Sequence, residues 1–553
     1  MANKNILLIE PGYKNKYPPL GLMKIAQYHR NVQADNVTFI KGEDKSVMEQ
    51  KWDRIYITTL FTFEFKKIKE SIDFSIKLVN GQTNKIFVGG IAASLMQEHF
   101  IKQPQWRGIR FIKGLLNKSP AESLQLDAFE EELYSDDLTN EPIENLVPDY
   151  SILEQIDYIY PVNDAYFLYG TRGCIRSCKF CGVPKLEGDQ FDMPDISTMV
   201  GRIIKNHGEK KDLIMMDNNV VASTKFKDII AQAIDLGFEK GAVFEKNGTR
   251  RKRRVDFNQG VDARILVKSD TYLKEIGKLC IDPLRIAFDH LGVKKHYDKS
   301  VRMASASGIE KISNYMLYNF MDSPEDLFER MYLNVALKEE LGIDIYSFPM
   351  RYQPTNLPHR RHVGPKWNPY YLRSMQVILQ ATHGIVSGSP EFFKIAFGEN
   401  KEQFFDILDM PHRFIFYRNW FEKGNGSGEF EDYKSQKKKL SSIELDELRN
   451  YLSDKLYAEY DDDGNTIKSA LDLKTFNKEI KLHKNKKIRD LLSFYRKIDT
   501  EEVQQLAAMV KGDKTIEDVK KAFTEETLVE DAALVDSLMS PLTNPPDSVH
   551  AAS

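Results

Sequence analysis

Five short apolar runs fix what the first part of this chain can fold into: Ile6–Ile9, Val37–Ile40, Ile55–Thr59, Ile86–Gly90 and Ile109–Ile112, separated by segments of helix length. A strand that exposes one face alternates apolar and polar residues, whereas a strand covered on both faces is apolar throughout. The runs therefore predict an α/β unit over residues 1–118, a doubly wound parallel sheet with helices on both faces. None of its strand ends carries G-x-G-x-x-G, so a dinucleotide site has no support.

At 553 residues and 42 % hydrophobic, the chain has room for two to four domains, each with its own core. No stretch approaches the roughly 18 consecutive apolar residues of a membrane span. The N-terminus runs straight into a strand, which gives a cytoplasmic expectation with no membrane partner. With 78 basic and 81 acidic residues the net charge is only -3, so no global field calls for a polyanion. One local exception is Lys246 to Arg254, six cations in nine residues, where phosphates of a nucleotide or nucleic acid could bind or a turn could simply be solvated.

Three of the four cysteines fall in one run, Gly170 to Gly188, with the spacing C-x3-C-x2-C at Cys174, Cys178 and Cys181. Three thiolates on one loop can hold three irons of a 4Fe-4S cube, which leaves the fourth iron open. A structural zinc site would need a fourth ligand, and no histidine lies between Asp164 and Asn206. A disulfide does not suit a reducing compartment. Cys280, in an apolar stretch, reads as an inert small hydrophobe.

The run, with Phe180 just before the last cysteine, resembles the radical S-adenosylmethionine (SAM) superfamily. The resemblance implies that the open iron is chelated by SAM and that an electron from the cluster cleaves it to a 5'-deoxyadenosyl radical. It also implies a reductant such as a flavodoxin or ferredoxin, and a partial (β/α)6 barrel for the core at 160–354. Active sites of parallel barrels form at the C-terminal ends of strands, and the strand ends here are polar. By the resemblance, Asp217, Asn218 and Asn219 lie near the methionyl group of SAM. Gln259 and Arg264 meet its ribose and carboxylate, Asn319 and Arg351 frame the adenine, and Asp289 and His290 act on substrate. Each could equally be a helix cap, and Asp322-Ser-Pro-Glu325 reads as a cap followed by a first-turn proline.

The loop Glu10 to Gly21, with Val88-Gly-Gly90, resembles the cobalamin-binding-like domain that precedes many radical SAM cores. It lacks the D-x-H-x-x-G whose histidine ligates cobalt, and His29 and His99 lie in helix-like contexts instead. Cobalamin is thereby disfavoured, and a scaffold or substrate platform preferred. Residues 119–159 read as an acidic surface linker around Glu130–Asp137, 355–523 as a helical domain with a helix over Leu372–Val386, and 524–553 as a disordered tail. Gly424–Gly428 reads as a flexible loop, Glu459–Gly464 as a turn, and His359 and His362 as surface residues.

The leading function is a radical SAM enzyme acting on a C-H bond of an unidentified substrate. A cobalamin-dependent radical SAM methyltransferase and an iron-sulfur nucleic-acid-binding protein without radical chemistry are the alternatives.

Overall fold

The computed structural model describes residues 3–117, 141–382, 384–461, 465–497, 501–502 and 505–506. The strands Asn5–Glu10, Asn36–Lys41, Arg54–Thr59, Ile86–Gly90 and Arg110–Phe111 form one parallel sheet, with the second on one side of the first and the third, fourth and fifth in turn on the other. Alternate residues face two separate cores. Ile6, Leu8, Phe39, Tyr56 and Phe87 pack with helix Leu20–Gln27 into the core that continues through the rest of the protein. Leu7, Ile9, Ile40, Ile55 and Val88 pack with helix Phe65–Leu78 into a core confined to this unit. Burial on both faces is why these strands read as unbroken apolar runs. The strand order reverses at Asn5–Glu10, so the crevice beyond its C-terminal end is the topological switch point, where ligands of open α/β sheets bind. The loop Pro11 to Pro19 leaves from this point.

The acidic run Glu130–Asp137 and the tail 524–553 lie outside the described residues. The rest of the expected surface linker is corrected by the fold. Ile143, Leu146, Val147, Tyr150 and Ile152 are buried, and Asp149 caps the short helix Tyr150–Gln155. Their apolar side chains close the main core between the N-terminal sheet and the next one.

Six parallel segments then follow in chain order. Ala165–Leu168, Asp212–Met215 and Val255–Phe257 pair in one sheet, and Leu284–Arg285, Lys311–Tyr318 and Asp344–Arg351 in another. Parallel bridges from Val255 to Ile281 and from Val261 to Ile286 join the two into a partial barrel. Helices Ile196–His207, Phe226–Asp235, Lys294–Ala306 and Pro324–Leu341 alternate with the strands. The last begins with a capping box in which Ser323 and Asp326 each bond the other's backbone N–H, with Pro324 at the first helical position, as its sequence predicts.

The C-terminal part is largely helical, with one correction. The expected helix Leu372–Val386 runs instead over Pro369–Ala381, and Val386–Ser387 adds an antiparallel strand to Asp344–Arg351. Gly384, at φ +75°, turns its N–H back to the Leu379 carbonyl and ends the helix. The basic run forms the antiparallel ribbon Val243–Lys246 with Thr249–Lys252, directly before Val255–Phe257. It therefore sits at the N-terminal end of a barrel strand, opposite the strand ends that carry the cysteine loop. No helix among the described residues is long and apolar enough to cross a membrane.

Candidate functional site

The cysteine loop leaves the first barrel strand through a junction clamped by Asp217, which ends the second. The Asp217 carboxylate accepts from the Gly170 N–H at 3.1 Å, the Thr171 N–H at 2.5 Å and the Thr171 hydroxyl at 2.8 Å. Burial pushes its carboxyl up to about 6 against the pull of those donors. The carboxylate assigned by resemblance to the methionyl group is thus engaged by two backbone N–H groups and the Thr171 hydroxyl at the root of the loop.

Gly173 holds φ +73°, and a Cβ there would stand 2.1 Å from the Asp189 carbonyl oxygen, so the close approach of the two loop arms requires glycine. Its N–H donates to Glu187 Oε2 at 2.7 Å, which also accepts from Asn218 Nδ2 at 2.9 Å. Glu187 Oε1 meets Arg172 Nη2 at 3.4 Å. The Arg172 guanidinium stacks on Tyr169 at 4.0 Å and reaches Glu144 at 3.8 Å, and Glu144 is bonded by Lys24 Nζ at 2.9 Å. Burial works to raise the Glu144 carboxyl, but the Lys24 and Arg172 charges hold it below its ordinary value. A buried chain of alternating charge thereby ties the N-terminal helix Leu20–Gln27 to the root of the cysteine loop.

Cys174, Cys178 and Cys181 are free thiols, all half-buried. The Arg176 N–H points at Cys174 Sγ and the Val183 N–H at Cys181 Sγ, both at 3.4 Å. Burial pushes all three thiols up, a tendency that metal coordination reverses outright. Among the described residues no three His, Cys, Asp or Glu side chains converge on one ion position. A cluster whose irons each take one thiolate asks for no such convergence, and the donor set fits it: three free thiols on one loop, two of them receiving backbone N–H groups.

Around the loop the strand ends supply paired charges. Asp262 accepts from Arg176 Nε at 2.8 Å and from Arg264 Nε and Nη2 at 2.8 and 3.0 Å. Arg264 and Asp289 lie close enough to Cys178 for their charges to act on it. Burial pushes the half-buried Asp289 up to about 6, partly offset by Arg330 and Arg264. His290 is exposed, and partial burial with the Arg264 and Arg330 charges lowers its pKa. Arg330, fully buried, bonds the Phe288 and Asp289 carbonyls at 3.0 and 3.1 Å and Asp322 at 3.0 Å, which fixes the end of this strand.

The remaining predicted residues divide. Asn219 Oδ1 accepts from the Asp262 N–H at 3.3 Å, and Gln259 is exposed beside Gly260. Asn319, at φ +68°, is buried, and its amide bonds the Tyr352 and His362 carbonyls and the Gly364 N–H. Arg351 Nη2 also donates to the His362 carbonyl at 3.1 Å. Both therefore moor the segment Gln353 to Gly364. Arg360 in that segment stacks on Phe63 of the N-terminal unit and Arg361 on Tyr460 of the C-terminal one, each at 3.5 Å. His359 and His362 are half-buried within it, and His359 meets the Asp461 carbonyl at 3.2 Å; neither is the surface residue expected. Phe180 lies edge-on to Phe320 at 5.7 Å, and Phe320 to Tyr352 at 4.7 Å, an aromatic row from the cysteine loop across the strand ends.

Sequence reasoning missed Glu187, Arg172, Arg176 and Arg330. The first three stand inside or beside the cysteine run, where a charged residue in so short a loop was the available signal. Arg330 lies mid-helix and gives none.

His29 has both ring nitrogens engaged, Nδ1 with Asp35 at 2.8 Å and Nε2 with the Tyr56 hydroxyl at 3.0 Å. Burial lowers its pKa and outweighs the pull of Asp35. Cys280 is pushed up to about 12 by burial, in keeping with an unreactive thiol.

No protein-family profile matches the chain, and no curated protein does. Among solved structures it is similar to the radical SAM methyltransferase TsrM from Kitasatospora setae, with tryptophan substrate and a SAM analogue bound, at 12 % identity, covering 64 % of this chain and 75 % of that one with a TM-score of 0.44. It is also similar to the cobalamin-dependent SAM radical enzyme OxsB, at 14 % identity, covering 97 % and 80 % with a TM-score of 0.43. SuiB from Streptococcus suis, bound to the precursor peptide SuiA, follows at 13 % identity, 40 % and 46 % coverage and a TM-score of 0.28.

Proposed function

We propose that the protein is a radical SAM enzyme that functionalises a C-H bond. The observation that carries the reading is the placement of Cys174, Cys178 and Cys181 on a loop at the C-terminal ends of a six-stranded parallel partial barrel, where such folds build their sites. Cys174, Cys178 and Cys181 would hold a 4Fe-4S cluster, which would supply the electron for reductive cleavage of SAM. Glu187 and Asp217 hold the two arms of the loop. Arg264, whose Nε and Nη2 are held by Asp262, offers its Nη1 beside the loop for a carboxylate, while Asn218, Asn219 and Gln259 line neighbouring strand ends for polar contacts. Asp289 and His290 stand where substrate would meet the radical, Asp289 able to hold a proton near neutral pH and His290 to accept one.

The N-terminal unit serves as scaffold and substrate platform without a histidine to cobalt, a reading supported by the engagement of both His29 nitrogens. Nucleic acid as substrate is disfavoured, because the basic ribbon lies at the far end of the barrel and Arg250, Arg251, Arg253 and Arg254 pair with Glu245, Asp164, Glu209 and Asp212.

The deciding experiment is anaerobic reconstitution followed by dithionite and SAM. About four irons per chain and release of 5'-deoxyadenosine are expected, both lost in Cys178→Ala. A variant with full iron and undiminished SAM cleavage would overturn the assignment.

A further inference from the structure

The loop that leaves the switch point of the N-terminal sheet sends Lys16 against the inner face of the barrel. Lys16 is 9 % exposed, and among the described residues its ammonium meets no hydrogen-bond or ion-pair acceptor; it lies over the Tyr17 ring, 5.0 Å from the centroid. The charges around it are Arg285, Asp256 and Arg254. Both Asp256 oxygens are taken by Arg285, at 2.7 and 2.9 Å, and Arg254 is paired with Asp212 at 3.0 Å. Lys16 is therefore the uncompensated cation of the group.

The surface around Arg285 is polar and lines the barrel. Asn314 bonds the Tyr297 hydroxyl of helix Lys294–Ala306, so its neighbours Ser313 and Tyr315 point the opposite way, inward. Ser313 takes Arg285 Nη1 at 3.2 Å, and the Tyr315 hydroxyl bonds the Asn258 carbonyl at 3.3 Å. A buried ammonium without a partner is costly, and it is relieved either by giving up its proton or by an anion that keeps it charged.

We infer that Lys16, beside Arg285, forms a seat inside the partial barrel for an oxyanion, a carboxylate or phosphate carried by the substrate. Burial and the neighbouring Arg285 charge lower the Lys16 ammonium to about 7, and a bound anion reverses that pull. That the anion belongs to the substrate rests on the radical SAM reading; the seat itself does not.

The test uses the full-length, cluster-loaded protein just below neutral pH. Calorimetric titration with inorganic phosphate and with acetate should show saturable binding of one of them, phosphate indicating a phosphoryl substrate and acetate a carboxylate. Lys16→Met should weaken it about tenfold or more, the loss of one charge-assisted bond, whereas Lys16→Arg should largely keep it. In wild-type protein, saturating anion should slow reductive methylation of Lys16, read by peptide mass spectrometry, which keeps the test open should the Met variant not fold. Binding of neither anion, or Met-variant affinity equal to wild type, or unprotected methylation would each overturn the seat. SAM cleavage by wild type, assayed separately, reports on the radical SAM reading alone.

Discussion

Tyr17 donates its hydroxyl proton to Asn258 Oδ1 at 2.6 Å, a bond between residues 241 apart in sequence, both buried. The switch-point loop of the first sheet is thereby fastened to the C-terminal end of a barrel strand, and the two units share one interior. Tyr17→Phe leaves the Asn258 oxygen buried without its donor, so stability should fall by about 1–3 kcal/mol. Denaturant titration measures it, and an unchanged midpoint would mean that the units do not depend on this bond.

Glu187 holds the Gly173 N–H, Asn218 and Arg172 together. Glu187→Gln keeps the shape but removes the charge facing Arg172, a loss of about 2 kcal/mol by the scale of hydrogen bonds to charged groups. The expected outcome is a lower melting temperature together with less iron retained after gel filtration. Full iron retention would place loop stability elsewhere.

His412 stacks on Tyr370 at 4.7 Å, and its buried Nε2 has no partner among the described residues. Burial, helped by Arg373, lowers it to about 3. A base whose folded pKa lies below its unfolded value of about 6.5 is fully stabilising above that pH. The contribution is lost as pH falls from there toward 3, by up to about 1.4 kcal/mol per pH unit. His412→Phe should flatten the slope of stability against pH across that window, and identical slopes in variant and wild type would refute it.

The basic ribbon makes a negative prediction. Neutralising exposed Arg250 and Arg251 should change stability by less than about 1 kcal/mol, the ordinary worth of surface ion pairs, and should leave 5'-deoxyadenosine release as it was. A marked fall in release would bring the ribbon into the site after all.

The strands were legible in the sequence wherever burial on both faces made them continuous, as at Ile6–Ile9 and Ile86–Gly90, and so was the polar character of the barrel's strand ends. The individual roles were not. Asp217 and Asn319 look like ligand contacts in a string of letters, yet both serve backbone groups that only the folded chain brings within reach. Glu144 reads as one more acid in an acidic stretch, because its partners Lys24 and Arg172 are distant in sequence and charge alone does not distinguish a solvated carboxylate from a paired one.

The segment Gln353 to Gly364 is moored to the barrel by Asn319 and Arg351, to the N-terminal unit through Arg360 on Phe63, and to the C-terminal unit through Arg361 on Tyr460. A strap held at three places cannot fray from one end. A change at Phe63 or at Tyr460 would therefore loosen a segment to which neither residue belongs, and the loss would be felt at Asn319 and Arg351 on the barrel.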